Sequence, residues 1–259
     1  MTEALHFHVR PRLRNASLLL AFEGWNDAGE AATTAARYVE SQLHAVPLAE
    51  IDGEDFFDFT VRRPEISVQE GVMKELVWPR NTFSYASVGA DSDLVIGVCI
   101  EPHLHWRHFA DAVVTLVREL RIQRVALLGG FLADVLYSLP VRVTCVASSA
   151  EVFGKLGVEP ARYEGPTGIS GVLGHSLREA GYDVAAFWAA LPHYIRVSPN
   201  PRGSLALLEA LRSYVGLRLD LAPLQRAAAE CEERVSAMVS ADPELTEYVK
   251  QLKRREFAQ

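Results

Sequence analysis

A chain of 259 residues, 49% hydrophobic and 23% charged, is large enough to bury a core without metal or disulfide support. Its formal net charge of −7 argues against a nucleic-acid surface, where lysine and arginine cluster. Cys99, Cys145 and Cys231 lie far apart with no CxxC pair, and neither an apolar signal core nor a membrane-length apolar stretch is visible, so a soluble, cytoplasmic protein without membrane contact is expected.

Residues 18–22 form an apolar run that reads as a first buried strand. The chain then turns through Glu23, Gly24, Trp25, Asn26, Asp27 and Gly29 into an alanine-rich helix, with Ala28, Ala31, Ala35, Val39 and Leu43 on one stripe. Asn26 or Asp27 can cap its first turn, and Trp25 is expected to pack beside that turn. Between residues 48 and 88 the pattern alternates and carries Pro64, Gly71 and Pro79, which suits an antiparallel meander at a sheet edge or a small excursion from it. The runs 94–100, 125–128, 141–147 and 184–190 are apolar at nearly every position, as strands covered on both faces of a mainly parallel sheet are. Cys99 and Cys145 fall inside these runs and read as small buried hydrophobes.

Helical stripes separate the strands. Phe109, Val113, Leu116, Val117 and Leu120 make one; Ile169, Val172, Leu173, Leu177 and Ala180 make another, stopped at Gly181. Leu205, Leu208, Leu211 and Val215 form a third before Gly216. This alternation predicts a three-layer α/β/α sandwich built on a mostly parallel mixed sheet, over residues 1–218. Residues 219–259 are expected to add a C-terminal helical hairpin, packed on the domain or on another subunit. Its first helix carries a heptad-like seam of Leu221, Leu224, Ala228, Cys231, Val235 and Met238. Its second starts at Asp242-Pro243-Glu244, buries Leu245, Val249 and Leu252, and ends on a basic run at 253–255 that complements the helix dipole.

In open α/β sheets, binding sites gather at the carboxyl ends of strands, so the turn at Gly24 marks the first place to look. GWNDAG has the glycine spacing of a phosphate loop, but Glu30-Ala31 stands where lysine and serine or threonine belong, and Asp27 and Glu30 would repel phosphate. A capping turn, or a polar pocket built from Glu23, Asn26 and Asp27, remains. Residues 101–108, EPHLHWRH, hold Glu101 and three histidines. On a helix His105 and His108 share a face while His103 points elsewhere, so no metal site is assigned, and Glu101 and His103 stay pocket candidates.

Gly165, Gly168, Gly171 and Gly174 recur every third residue, which suggests close helix packing, with Gly165, Thr167 and Gly168 as a loop that could line a pocket. Ser170 lacks the second glycine of a nucleophile elbow and a visible triad, so no catalytic residue is assigned. Asp52, Glu54, Asp55 and Asp58 read either as general acids and bases or, more simply, as surface ion pairs with Arg62 and Arg63. His193 and Tyr194 follow the last buried strand and are placed at the same edge as the Gly24 turn.

FEGWNDAGEAAT, DFFDFTVRRPEI, EPHLHWRHFADAV, LLGGFLADV, YEGPTGISGVL and AALPHYI occur in this order between residues 18 and 252. Together they resemble the proteasome assembly chaperone family (second chaperone type), in its bacterial, actinobacterial-type branch. The resemblance implies a phosphorylase/hydrolase-like three-layer fold with a helical C-terminal extension, and Gly129 and Gly130 join the candidate pocket. Eukaryotic and archaeal relatives assist assembly of the proteasome α-ring, and some end in a hydrophobic-tyrosine-any tripeptide that docks on it. This chain ends Phe257-Ala258-Gln259, with alanine at the tyrosine position. The expectation is a non-catalytic homo-oligomer, a trimer or other small ring, of chaperone or scaffold type, without cofactor and with proteasome subunits as candidate partners. The rival is a small-ligand binder or hydrolase-like enzyme with its pocket at the strand ends.

Overall fold

The computed structural model describes residues 4–256; Phe257-Ala258-Gln259 lie outside the described residues. In chain order the elements are β1 (Leu5–Phe7), β2 (Ser17–Glu23), α1 (Ala31–Gln42), β3 (Val46–Ile51), β4 (Glu65–Gln69), β5 (Val72–Val77), β6 (Asn81–Ser87) and β7 (Asp93–Ile100). There follow α2 (Trp106–Glu119), β8 (Arg124–Ala133), β9 (Val143–Ala147), α3 (Glu151–Leu156), β10 (Glu159–Pro160), α4 (Ile169–Glu179), β11 (Asp183–Pro192), α5 (Pro201–Leu211), α6 (Ala222–Ala241) and α7 (Pro243–Glu256).

Nine strands make one sheet in the order β1-β3-β6-β7-β2-β8-β11-β9-β10. Its centre, β7-β2-β8-β11, is parallel. Antiparallel pairings flank it, through β6 on one side and β9 on the other. The unbroken apolar runs have a direct cause, since both faces of this centre are covered. Leu18, Leu20 and Phe22 of β2 pack with Phe109, Val113, Leu173 and Leu177 of α2 and α4. Leu19 and Ala21 face the other way, onto Ala32, Ala35, Leu207 and Leu208 of α1 and α5. The three-layer reading therefore holds. Cys99 and Cys145 are buried free thiols, and burial pushes both thiol pKa values up.

One expectation about the strands changes. The 141–147 run is not a strand covered on both faces: β9 lies toward the sheet's margin, with Cys145 fully buried and Val146 exposed. Residues 48–88 supply both alternatives at once. β3 and β6 join the main sheet, while β4 and β5 pair only with each other as a separate two-stranded sheet.

The helical hairpin α6–α7 packs on the domain itself. Cys231, Val235, Val239, Val249 and Leu252 meet Leu136, Tyr137, Tyr194 and Ile195. Val239 takes the place expected for Met238, which is exposed. A straight helix at 3.6 residues per turn drifts off a 3.5-residue repeat, so by the fifth turn the seam has moved by one residue. Asp242 Oδ1 accepts from the Glu244 and Leu245 amides at 2.9 and 3.1 Å, capping α7 as expected.

Glycines test this packing. A Cβ on Gly129 would lie 2.4 Å from two ring carbons of Trp188, whereas one on Gly154, inside α3, would meet nothing within 4 Å. Gly129→Ala should therefore lower unfolding free energy in urea by about 1–3 kcal/mol. Gly154→Ala should leave it unchanged or raise it by up to about 1 kcal/mol.

Candidate functional site

The carboxyl edge of the parallel centre is built around one carboxylate. Glu101 follows β7, and its backbone N–H donates to Glu23 O at 2.9 Å, extending the β2–β7 pairing by a residue. Its Oε1 accepts from Asn26 Nδ2 at 3.1 Å and from the Ile169 amide at 2.8 Å, and its Oε2 accepts from the Trp25 amide at 3.2 Å. Ile169 opens α4, and no side chain of that helix's own N-cap satisfies its first turn. Glu101 thus caps α4 from another strand, where the helix dipole favours negative charge.

Close approach is what makes this possible. A Cβ on Gly168 would fall 2.2 Å from Asn26 Nδ2 and 2.6 Å from Glu101 Oε1. Gly24 has φ +130°, and a Cβ on it would lie 3.1 Å from Glu101 Cβ. Gly171 admits Thr167, whose Oγ1 would sit 1.9 Å from an added Cβ. The glycine recurrence therefore serves contacts within this turn rather than helix–helix packing, and Gly174 meets only Leu127 at an ordinary 3.5 Å. Gly165 lies under Tyr163, whose hydroxyl donates to Pro166 O at 2.9 Å.

Asp27 does for α1 what Glu101 does for α4. Its Oδ1 accepts from the Ala32 and Thr33 amides at 2.7 and 3.2 Å, and its Oδ2 accepts from Thr33 Oγ1. The side chain is buried, and that burial raises its pKa, against the lowering effect of the three donors. Between Asp27 and the helix, Gly29 and Glu30 both take left-handed φ (58° and 50°). The Asn26 carbonyl accepts from the Gly130 amide at 2.8 Å, which fastens the turn to β8, and a Cβ on Gly130 would press on Ala28 O at 3.0 Å.

Seven of the fifteen pocket candidates singled out in the sequence meet here: Glu23, Gly24, Asn26, Asp27, Glu101, Gly130 and Gly168. Others do not. Trp25 donates its amide to Glu101, but its ring is 65% exposed rather than packed beside the turn. Gly29 touches the α5 side, at Val197 O and Asn200. His103 accepts from the Asp58 amide through Nδ1 at 3.0 Å and packs edge-to-face on Phe57. His193 Nε2 lies 2.8 Å from Asp134 Oδ1 and 2.9 Å from the Tyr248 hydroxyl, so it fastens α7 to the body. Tyr194 donates to Val135 O at 3.0 Å beside it.

Arg62 was read only as a partner of the acidic residues at 52–58, and its place at the strand edge was missed by sequence reasoning. Its guanidinium forks onto Glu23 at 2.9 and 3.3 Å instead of pairing with the nearby acidic group. Asp52 and Asp58 instead accept from the Glu54 and Thr60 amides two residues on, as turn formers do. Asn81, also missed, brackets the residue before Glu101. It accepts from the Ile100 amide at 2.6 Å and donates to the Ile100 carbonyl at 3.2 Å. Among the described residues no cluster of three His, Cys, Asp or Glu side chains is arranged to hold a metal ion. No helix among them is long and apolar enough to cross a membrane. Two clefts of about 100 and 690 Å³ lie elsewhere, under α6 and between the β6–β7 turn and the α5–α6 connection.

Residues 21–239 match the model of the PAC2 family. The chain belongs to the PAC2 family. Among solved structures it is similar to a proteasome-assembly chaperone homologue from Mycobacterium tuberculosis, at 39% identity and TM-score 0.83 over 90% of this chain and 99% of that one. A PAC2 family protein from Streptomyces avermitilis is 37% identical, with TM-score 0.83 and the same coverage. An archaeal proteasome activator from Pyrococcus furiosus shares the fold, at 20% identity and TM-score 0.70 over 92% and 99% of the two chains. No curated protein matches the sequence.

In this PAC2 chain two substitutions of Asp27 separate the hydrogen bonds of the carboxylate from its charge. Asp27→Ala leaves three buried donors without their acceptor and should cost about 1–3 kcal/mol in urea unfolding. Asp27→Asn keeps an acceptor for the α1 amides and isolates the charge. Because the folded-state pKa of Asp27 is raised, its protonated form favours folding, and that contribution fades as pH rises through the folded value. Stability of the natural chain relative to Asp27→Asn should therefore increase as pH drops from about 7 toward about 4.

Proposed function

We propose that this PAC2 chain is a cytoplasmic, non-catalytic, homo-oligomeric protein that binds other protein chains in the manner of a proteasome-assembly chaperone. Family membership supports the chaperone type. The observation that carries the non-catalytic part is the use of the strand-end carboxylates. Glu101 accepts three hydrogen bonds from the turn and from α4, and Asp27 accepts three from α1. Carboxylates engaged in this way hold backbone in place. A general base, by contrast, needs a lone pair free to reach a substrate proton.

Proteasome α-subunits are the proposed partners, and a trimer or other small closed ring is the proposed assembly. Native mass spectrometry across micromolar concentrations should give one closed oligomer, and a strict monomer would overturn that part of the reading. Tagged protein should retain proteasome α-subunits from a lysate of its own host.

One observation favours a second reading, a small-ligand site at the same turn. Asn26 Oδ1 and Ser170 Oγ are buried without a hydrogen-bond partner among the described residues. A thermal-shift screen of nucleosides, amino acids and sugars separates the two. A ligand at one hundred times its Kd stabilises by about 2.7 kcal/mol, and a hit lost in Asn26→Ala would favour the ligand site. A flat screen is the expected result.

A further inference from the structure

The larger of the two clefts, about 690 Å³, opens at the amino end of the parallel strands, the opposite edge from the Glu101 turn. One wall is the turn at 88–92, which leads into β7; the other is the end of α5 with the connection to α6. The floor is aliphatic. Val88, Leu208 and Leu217 are buried there, and Leu219 and Leu221 are partly buried beside them. Both walls are fastened. The Val88 amide donates to Ser92 O and the Ser92 hydroxyl donates back to Val88 O, each at 2.8 Å. Opposite, the Leu217 amide donates to Arg212 O at 2.7 Å, and the Tyr38 hydroxyl of α1 donates to Asp220 O at 2.6 Å. A hollow of this size with fixed walls falls in the range of small-ligand sites, about 300–1,000 Å³.

The charge at its rim is one-sided. Arg212 and Arg218 line the cleft and are exposed, and among the described residues neither guanidinium has a hydrogen-bond or ion-pair partner. The acids next to the cleft are already engaged. Asp220 Oδ1 accepts from the Ala222 amide at 2.9 Å, at the start of α6. Asp91 lies beside Arg14, whose guanidinium also donates to Ala90 O. Two unpaired guanidinium groups over an aliphatic floor, on a chain of net charge −7, suit an anion with an apolar body. The last turn of α5 brings the negative end of its dipole to the same cleft, so a single delocalised charge fits better than a phosphate dianion.

We propose that this cleft binds a free aliphatic carboxylate. Its carboxylate bridges Arg212 and Arg218, and its hydrocarbon lies on Val88, Leu208 and Leu217. The site is separate from the strand-end turn and does not depend on assembly of the chain.

Titration calorimetry of the full chain with octanoate tests it, with acetate and octanol as the head and the tail alone. Octanoate should bind saturably, one per chain, while acetate and octanol give no saturable heat. Arg212→Ala and Arg218→Ala should each weaken octanoate binding about tenfold or more, the loss expected for one charged hydrogen-bond partner. Arg218→Lys keeps the charge without the fork and should fall between. Ser213→Trp, on the same rim, should block the cleft with both arginines in place. All three positions are exposed, so circular dichroism and the melting temperature of each variant should match those of the natural chain. Absence of saturable octanoate binding would overturn the proposal. Binding that survives in both alanine variants would overturn it too, by placing the acid elsewhere. Octanol bound as tightly as octanoate would overturn the part given to the carboxylate. A peptide ending in two leucines that binds where octanoate does not would overturn the free acid in favour of a chain terminus.

Discussion

The carboxylate of Glu101 ties together three pieces of chain that share no sequence neighbourhood: the turn after β2, the end of β7 and the start of α4. Without it the Ile169 and Trp25 amides would need other acceptors at a partly buried edge, and each unmet donor there carries a desolvation cost. The surrounding glycines follow from it. Gly168 has no room for a side chain because Glu101 and Asn26 occupy the space, and Gly24 is bent to pass the same carboxylate. Asn81 and Arg62 extend the arrangement outward, one bracketing Ile100 and the other neutralising Glu23 next door.

Acidic residues at the strand ends of an α/β sheet invite a catalytic reading. Here their surroundings argue for an architectural one. Parallel strands followed by helices bring several helix N-termini to one edge, and each arrives with amides that lack partners. Asp27 and Glu101 meet that demand for α1 and α4, and Asn200 meets it for α5 by accepting from the Gly203 amide at 3.0 Å. At the start of α2 there is no such internal answer, because that helix has neither a side-chain cap nor an acidic residue in its first turn.

The centre of the fold is legible in the sequence because burial on both faces leaves a direct trace, an unbroken apolar run with turns at its ends. The helices are legible from their stripes, and the Asp27 cap from its place four residues before α1. The Arg62–Glu23 pair is not, because 39 residues separate the partners and the acidic residues closer to Arg62 are the natural guess. The same holds for Glu101 and Ile169, 68 residues apart. Alternation at Ile66 and Val68 correctly signals a strand, but periodicity records which side chains share a face and says nothing about what covers it. His193 shows a related gap. Its position after β11 places it at the sheet edge, but only the fold brings Asp134 and Tyr248 to it.

The strand order has a consequence for how the chain is made. β2 is made before either of its two neighbours, which begin only at Asp93 and Arg124. From the end of β2 at Glu23 until β7 begins at Asp93, this apolar strand has no lateral partner. Non-local parallel pairing of this kind is slow to form and exposed to aggregation while it waits. This PAC2 chain thus passes through a vulnerable state during its own synthesis.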